Sequence, residues 1–101
     1  MFMEKLKGVR LLFNTEYRDK FYAVDPETSI NFVLQLIPLR TKNLTKQEII
    51  NIILELLHDI KNNEGIRSKQ LFKWFMERNL NKRQYTYIKR TLLKLGLIEY
   101  S

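Results

Sequence analysis

The side chains best suited to chemistry in this chain of 101 residues are its cations, and they are densest near the C-terminal end. Residues 82–94 hold five basic side chains and no acidic one, namely Lys82, Arg83, Lys89, Arg90 and Lys94. A solvent-exposed helix usually mixes both signs, because opposite charges three or four residues apart stabilise it. A helix of cations alone gives up that stabilisation, as a phosphate-binding surface would. The alternative is a face that serves only solubility.

The overall charge also indicates an acidic partner. The formal net charge is +7 and the isoelectric point is about 9.8. Residues 61–94 hold ten basic and two acidic side chains, whereas residues 46–60 have a net charge of −2. The excess therefore belongs to the last third of the chain. Nucleic acid is the first expected partner of such a surface, and an anionic membrane the second.

Composition argues against other kinds of site. The chain has no cysteine and a single histidine, which excludes a disulfide scaffold, a cysteine nucleophile and a cysteine- or histidine-rich metal site. Three glycines and dispersed carboxylates give neither a phosphate loop nor an acid–base pair, so we expect no enzyme activity, cofactor, metal or small-molecule ligand. No apolar run approaches the roughly 18 residues of a membrane span. With no signal-peptide pattern either, we expect a soluble cytoplasmic protein. A helix that binds a membrane surface has a broad apolar face opposite its charges, whereas the apolar stripe within residues 82–95 is narrow, so we expect no membrane partner.

The elements that must position the cations begin near residue 44. Thr45-Lys-Gln-Glu48 fits a capping box, and it starts a predicted helix that ends at Asn62-Asn-Glu-Gly65. Isoleucine and leucine cover an arc of about 200° on this helix. One packing surface of a small domain needs less than that. The arc predicts either packing within the chain or a dimer seam.

Two further helices are predicted close together. Ser68 can cap a helix from Lys69 to about Arg78, and Asn79-Leu-Asn81 forms a short turn in which Asn79 suits a left-handed backbone. Asn81 then caps a helix that ends at Gly96. On that helix the apolar stripe lies apart from the cations and consists of Tyr85, Ile88, Leu92 and Leu95.

The N-terminal part favours strands. Apolar side chains alternate with polar ones over residues 7–14, an apolar run spans 21–24, and Ile30, Phe32, Leu34 and Leu36 alternate over 30–37. These segments predict a three-stranded antiparallel meander. A competing interpretation takes Asp25 as an N-cap and Pro26 as the first residue of a helix over 26–37. Because the four apolar side chains scatter around a helical wheel, strands are favoured.

Two helices joined by a short turn, the second of them basic, are typical of a helix-turn-helix. Over about residues 45–101 the chain resembles the winged helix-turn-helix family of DNA-binding domains. The resemblance lies in the segment 68–75, the turn 79–81 and the segment 85–98, whose Leu95-Gly-Leu-Ile98 would lead from the recognition helix into a wing strand. It implies helices over 45–62, 69–78 and 82–95, and strands near 66–67 and over 97–100. The family usually has a second wing strand, so we expect the wing to be absent or supplied by the N-terminal strands.

The predicted fold class is therefore α+β, a winged-helix-like three-helix domain preceded by an N-terminal antiparallel β-meander. Residues 1–43 are the β-rich segment, packed on the same domain. Residues 44–101 are the winged helix-turn-helix DNA-binding region.

The resemblance implies a sequence-specific binder of double-stranded DNA, a small transcriptional regulator that inserts helix 82–95 in the major groove. We expect a homodimer, because such proteins commonly pair on two-fold sites. The residues implied nearest to base edges are Arg83, Gln84, Thr86 and Tyr87. Those implied to complete the DNA-binding surface, mostly through phosphates, are Ser68, Lys69, Lys73, Lys82, Lys89, Arg90 and Lys94.

Two alternatives remain open. The first is a winged-helix protein-interaction module of a replication or transcription assembly, in which the N-terminal sheet binds a partner. The second is a non-specific nucleic-acid binder.

Overall fold

The computed structural model describes residues 19–24 and 30–101. Within these ranges the fold is α+β, as predicted, with four helices and three short strands. In chain order they are β1 (Lys20–Ala23), α1 (Ile30–Leu36), α2 (Lys46–Asn62), β2 (Ile66–Arg67), α3 (Ser68–Glu77), α4 (Lys82–Lys94) and β3 (Ile98–Tyr100). No helix in the described ranges has both the length and the apolar character needed to cross a membrane.

The three strands form one antiparallel sheet in the order β2-β1-β3. Phe21 is paired with Ile66 on one side and with Tyr100 on the other. The strand predicted at residues 21–24 is therefore present, and it lies between two strands from the C-terminal region. The predicted N-terminal meander is wrong for the described residues, because β1 pairs with β2 and β3 and not with a strand over residues 30–37.

The predicted strand over residues 30–37 is wrong, because Ile30–Leu36 is a helix. Ile30 and Leu34, one helical turn apart, are both buried. Phe32 and Leu36 are 66% and 69% exposed. The prediction assumed that all four apolar side chains belong to the core, and that assumption made a helix look unsuitable. The predicted strand over residues 7–14 and the start of the alternative helix at 26–29 lie outside the described residues.

Local capping fixes where α2 and α4 begin. The Thr45 hydroxyl accepts from the backbone N–H of Glu48 at 3.1 Å, and the Glu48 carboxylate accepts from the N–H of Thr45 at 2.8 Å. Asn81 and Gln84 make the same reciprocal pair at the start of α4, with both distances 2.8 Å. Both predicted capping boxes are confirmed. Each satisfies backbone donors that a helix N-terminus otherwise leaves unpaired. The predicted cap at Ser68 is wrong, because Ser68 is the first residue of α3 and Arg67 is its N-cap.

The core is built around α2. Its largest buried side chains contact the apolar sides of the other helices and the sheet, and they are Ile49, Ile50, Ile53, Leu56, Leu57 and Ile60. Their partners include Leu71 and Phe75 of α3 and Ile88 and Leu92 of α4, all four fully buried. The wide Ile/Leu arc of α2 is thus used for packing within the chain, and it does not supply a dimer seam.

Gly96 turns the chain out of α4 and into β3. Its φ of +72° lies in the left-handed region, where glycine pays no Cβ penalty. The N–H of Leu97 donates to the carbonyl of Leu92 at 2.9 Å and that of Gly96 to Leu93 at 3.1 Å, which together form a Schellman motif. The predicted end of the basic helix is confirmed.

Candidate nucleic-acid interface

The position of α4 is set by contacts with α3 on one side. The ring of Tyr85 packs edge-on against Phe72 and Phe75, with centroid distances of 5.2 and 5.3 Å. Ile88 and Leu92 are fully buried. Tyr85, Ile88 and Leu92 thus form the predicted core stripe, whereas Leu95 is 37% exposed and does not complete it. Because this stripe faces the core, the opposite side of α4 faces solvent.

That side is called the α4 outer face here, and it forms a shallow open depression. The side chains that line it are Lys82, Arg83, Thr86, Tyr87, Arg90, Thr91 and Lys94. In the part of the chain that the structure describes, Lys82, Arg83, Arg90 and Lys94 have no ion-pair or hydrogen-bond partner for their side chains. Four cations on one helix therefore present unneutralised charge to solvent. Such a surface can bind a polyanion.

Lys89 belongs to the flank of α4 that meets α3. Its Nζ lies 4.9 Å from the centroid of the Tyr85 ring and donates to the Tyr85 hydroxyl at 3.3 Å. The side chain is half-buried, so the ring holds the cation near the α3–α4 junction. Of the eight side chains predicted on α4, Lys89 is thus beside the outer face and not part of it.

Gln84 is a correction to the predicted site. Its side chain is only 5% exposed. The amide oxygen accepts from the backbone N–H of Asn81 in the capping box, and Nε2 donates to the carbonyl oxygen of Lys42 at 3.1 Å. Both ends of the amide are used inside the protein, and the outer face does not include it. Gln84 therefore has no amide group available for the predicted contact with a base edge.

Tyr87 has a similar double character. Its hydroxyl accepts from the backbone N–H of Arg40 at 2.7 Å, and its ring lines the edge of the outer face. The hydroxyl is thus committed to the chain, while part of the ring stays open to a ligand. Thr86, one residue earlier, is half-buried and lines the same face.

The predicted contacts on α3 divide into two kinds. Lys69 and Lys73 are exposed, and neither side chain makes a hydrogen bond or ion pair with a described residue, although the charge of Lys69 lies near Asp19. The Ser68 hydroxyl, in contrast, donates to Asp19 Oδ1 at 2.8 Å. Its predicted role in phosphate binding therefore competes with an internal carboxylate.

Asp19, which precedes β1, links the N-terminus of α3 to β3 and to the residue that follows it. Its Oδ1 also accepts from the Tyr100 hydroxyl at 2.5 Å, and its backbone N–H donates to the carbonyl of Ser101 at 2.9 Å. The hydrogen bonds from Tyr100 and Ser68, aided by the nearby charges of Arg67 and Lys69, hold the pKa of Asp19 below its usual value. The hydrogen bond between Tyr100 and Asp19 also raises the pKa of Tyr100.

Arg78 is a cation that the sequence counted toward the basic surface but that the fold uses elsewhere. Its guanidinium donates to Glu55 Oε1 at 2.8 and 3.0 Å and lies 3.6 Å from the centroid of the Trp74 ring. The indole N–H of Trp74 donates to Asp59 at 2.9 Å, and Arg78 reaches the same carboxylate at 3.4 Å. This group, called the Arg78 network here, neutralises two acids of α2. It leaves Arg78 outside the candidate interface.

Sequence reasoning missed two cations on the loop between α1 and α2. Arg40 and Lys42 are both exposed, and the backbone of each is hydrogen-bonded to α4. Their partners lie 47 and 42 residues away along the chain. No periodicity or capping pattern reports a contact of that separation, so no signal in the sequence could have placed them here.

Comparison with protein-family models, with curated proteins and with solved structures found no match to this chain. The resemblance to the winged helix-turn-helix family therefore stays a prediction.

Proposed function

We propose that this protein binds double-stranded DNA sequence-specifically by inserting α4 into the major groove, and that it acts as a small transcriptional regulator. The observation that carries the proposal is the α4 outer face. It holds four cations without partners among the described residues, on a helix whose other side is anchored in the core. Such a rigid, basic helix face can approach phosphates without first breaking internal ion pairs.

The dimensions of α4 support this partner. A helix with its side chains is roughly 10–12 Å across, and the major groove of B-DNA is about 12 Å wide. Arg83 and Thr86 lie in the first half of α4 and are proposed to reach base edges. Arg83 can pair with guanine through two hydrogen bonds, which discriminates by about 1–3 kcal/mol. Arg90 and Lys94 lie further along and are proposed to contact phosphates.

The order of elements supports a winged-helix-like arrangement within this proposal. α2, β2, α3, α4 and β3 follow one another as the family resemblance implies. The strand β1, which lies between β2 and β3, is proposed to take the position of the strand that the family usually adds after β3. In this arrangement Lys69 and Lys73 of α3 are proposed to contact the DNA backbone beside α4.

The experiment that tests the proposal measures duplex DNA binding by fluorescence anisotropy at rising salt, followed by selection from random duplexes. The logarithm of the association constant should fall linearly with the logarithm of salt concentration, because cations that bind phosphates release counterions. Selection should enrich a common sequence that binds more tightly than random DNA at the same salt. No binding at about 50 mM salt would contradict the proposal. Binding without any enriched sequence would favour the non-specific nucleic-acid binder.

A homodimer is also proposed, on a surface different from the one that the sequence suggested. The arc of α2 is buried, but α1 exposes three apolar side chains, Phe32, Val33 and Leu36. The same observation favours the alternative of a protein-interaction module. Light scattering coupled to size exclusion distinguishes a homodimer from a protein-interaction module. A second copy bound at this surface gives the mass of a dimer, and Leu36→Ser should reduce that mass. A monomer removes the model of two recognition helices on a two-fold site.

A further inference from the structure

The loop between α1 and α2, residues 37–45, carries two cations, Arg40 and Lys42. Arg40 and Lys42 are exposed, and neither side chain has a partner among the described residues. They lie outside the helix-turn-helix segment. The question is what holds this loop in place and what its cations face.

The 37–45 loop is fastened to α4 through its main chain. The N–H of Arg40 donates to the Tyr87 hydroxyl at 2.7 Å, and the carbonyl of Lys42 accepts from Gln84 Nε2 at 3.1 Å. Leu39 is 5% exposed and anchors the loop in the core. Because the backbone makes these bonds, the side chains of Arg40 and Lys42 stay available.

A tight turn sets the direction of Lys42. The N–H of Leu44 points to the carbonyl of Thr41 at 3.5 Å, and these two residues form a small antiparallel bridge. Asn43 completes the turn with φ +68°, a left-handed conformation that asparagine tolerates better than most residues. Lys42 is therefore presented at the corner of a defined turn.

The loop and α3 lie on opposite flanks of α4. Tyr85 contacts α3, whereas Tyr87, two residues later, contacts the loop. Two residues correspond to a rotation of about 200° around a helix axis. The α4 outer face is thus bordered by α3 on one side and by the 37–45 loop on the other.

We propose that Arg40 and Lys42 form a second phosphate-binding element of the interface, which contacts the duplex strand opposite to that contacted by Lys69 and Lys73. This inference rests on the proposed function. A helix roughly 10–12 Å across fills a groove about 12 Å wide, so each flank of α4 faces one of the two sugar–phosphate backbones. The partner of the loop is the phosphodiester backbone, and the loop adds affinity without reading sequence.

The first test compares salt dependence. The double variant Arg40→Ala/Lys42→Ala keeps the backbone groups that fasten the loop, so it should fold like the wild-type protein. Losing two phosphate contacts should reduce the slope of log affinity against log salt by about 1.8, because each contact contributes about 0.9. At about 0.1 M salt this corresponds to roughly a five- to tenfold loss for each contact.

The matched control is Lys61→Ala, which removes a positive charge at the far end of α2. Lys61 is separated from the start of that helix by about 22 Å of helix axis. The control should leave the slope unchanged. A double variant whose slope and affinity equal those of the control overturns the inference while leaving the proposed function intact. If the wild-type protein binds no duplex, the proposed function fails first, and the inference fails with it.

The second test reads the strand directly. The chain has no cysteine, so Lys42→Cys and Lys69→Cys each give a single attachment point for an iron chelate that cleaves nearby DNA. On a duplex carrying the selected sequence, the two labelled proteins should cut opposite strands across the groove occupied by α4. Cuts from both positions on the same strand, or no cuts from position 42 at a duplex that the protein protects, would overturn the inference.

Discussion

The Arg78 network and the α4 outer face use arginine for opposite purposes. Arg78 is held by two carboxylates of α2 and by the face of Trp74, so its charge is balanced inside the fold. Arg83 and Arg90 have no such partner among the described residues. A net charge counted along the sequence treats the three alike. Within a basic segment, only the cations that the fold leaves unpaired indicate a binding surface.

The largest expected effect comes from removing one arginine from each of the two regions. Arg90→Ala should weaken binding to every duplex by roughly five- to tenfold at about 0.1 M salt and change the free energy of unfolding by less than about 0.5 kcal/mol. Arg78→Ala should instead lower stability and leave DNA binding unchanged. It removes a partly exposed ion pair and a cation–π contact, so it should lower the free energy of unfolding by about 1–2 kcal/mol.

Urea denaturation and anisotropy on the same preparations measure both quantities. Arg83→Ala extends the comparison, because it should also relax the preference at one base position. If Arg78→Ala weakens binding as much as Arg90→Ala while the protein remains folded, the division between the two regions is wrong. Equal losses on all sequences from Arg83→Ala and Arg90→Ala would contradict the division of roles along α4.

A smaller effect is expected at Gln84, which the sequence assigned to the outer face and the fold uses internally. Gln84→Ala should lower the free energy of unfolding by about 1 kcal/mol, because it breaks the capping box and the bond to the loop. Gln84→Glu is the matched variant. It retains an oxygen for the N–H of Asn81 and loses the donor to Lys42. A binding defect without any loss of stability in Gln84→Ala would return Gln84 to the DNA-binding surface.

The smallest effect concerns Asp19, an acid at the N-terminus of α3. Its folded-state pKa lies below the usual 3.8. The carboxylate therefore contributes stability at pH values above 3.8, and this contribution is lost as the pH falls through the lowered folded-state value. Asp19→Asn should accordingly flatten the acid-side fall in the thermal unfolding midpoint. Tyr100→Phe, which removes the strongest hydrogen bond to Asp19, should flatten it partly. Identical acid profiles for all three proteins would show that this carboxylate does not couple folding to protons.

What the sequence could predict follows from the range of the interactions. The starts of α2 and α4 depend on reciprocal bonds between residues three apart, so Thr45 and Asn81 revealed them. A helix at α1 was only the competing interpretation, because its two buried residues are recognised only by what they pack against. Two of the side chains predicted on α4, Gln84 and Lys89, lie off the outer face, and Gln84 was misplaced because its partner is 42 residues away. Lys42 and Arg40 were invisible for the same reason.

The central position of β1 has a consequence for how the chain closes on itself. Tyr22 is paired with Glu99, so the sheet joins residues about 77 apart along the chain. The entropy of closing such a loop costs about 4 kcal/mol beyond a constant term. Two short strands with few hydrogen bonds offset little of that cost alone, and the helical core built on α2 must hold the ends near each other. Formation of the sheet therefore depends on the packing of the helices. When that packing is weakened, we expect the sheet to separate before the helices do.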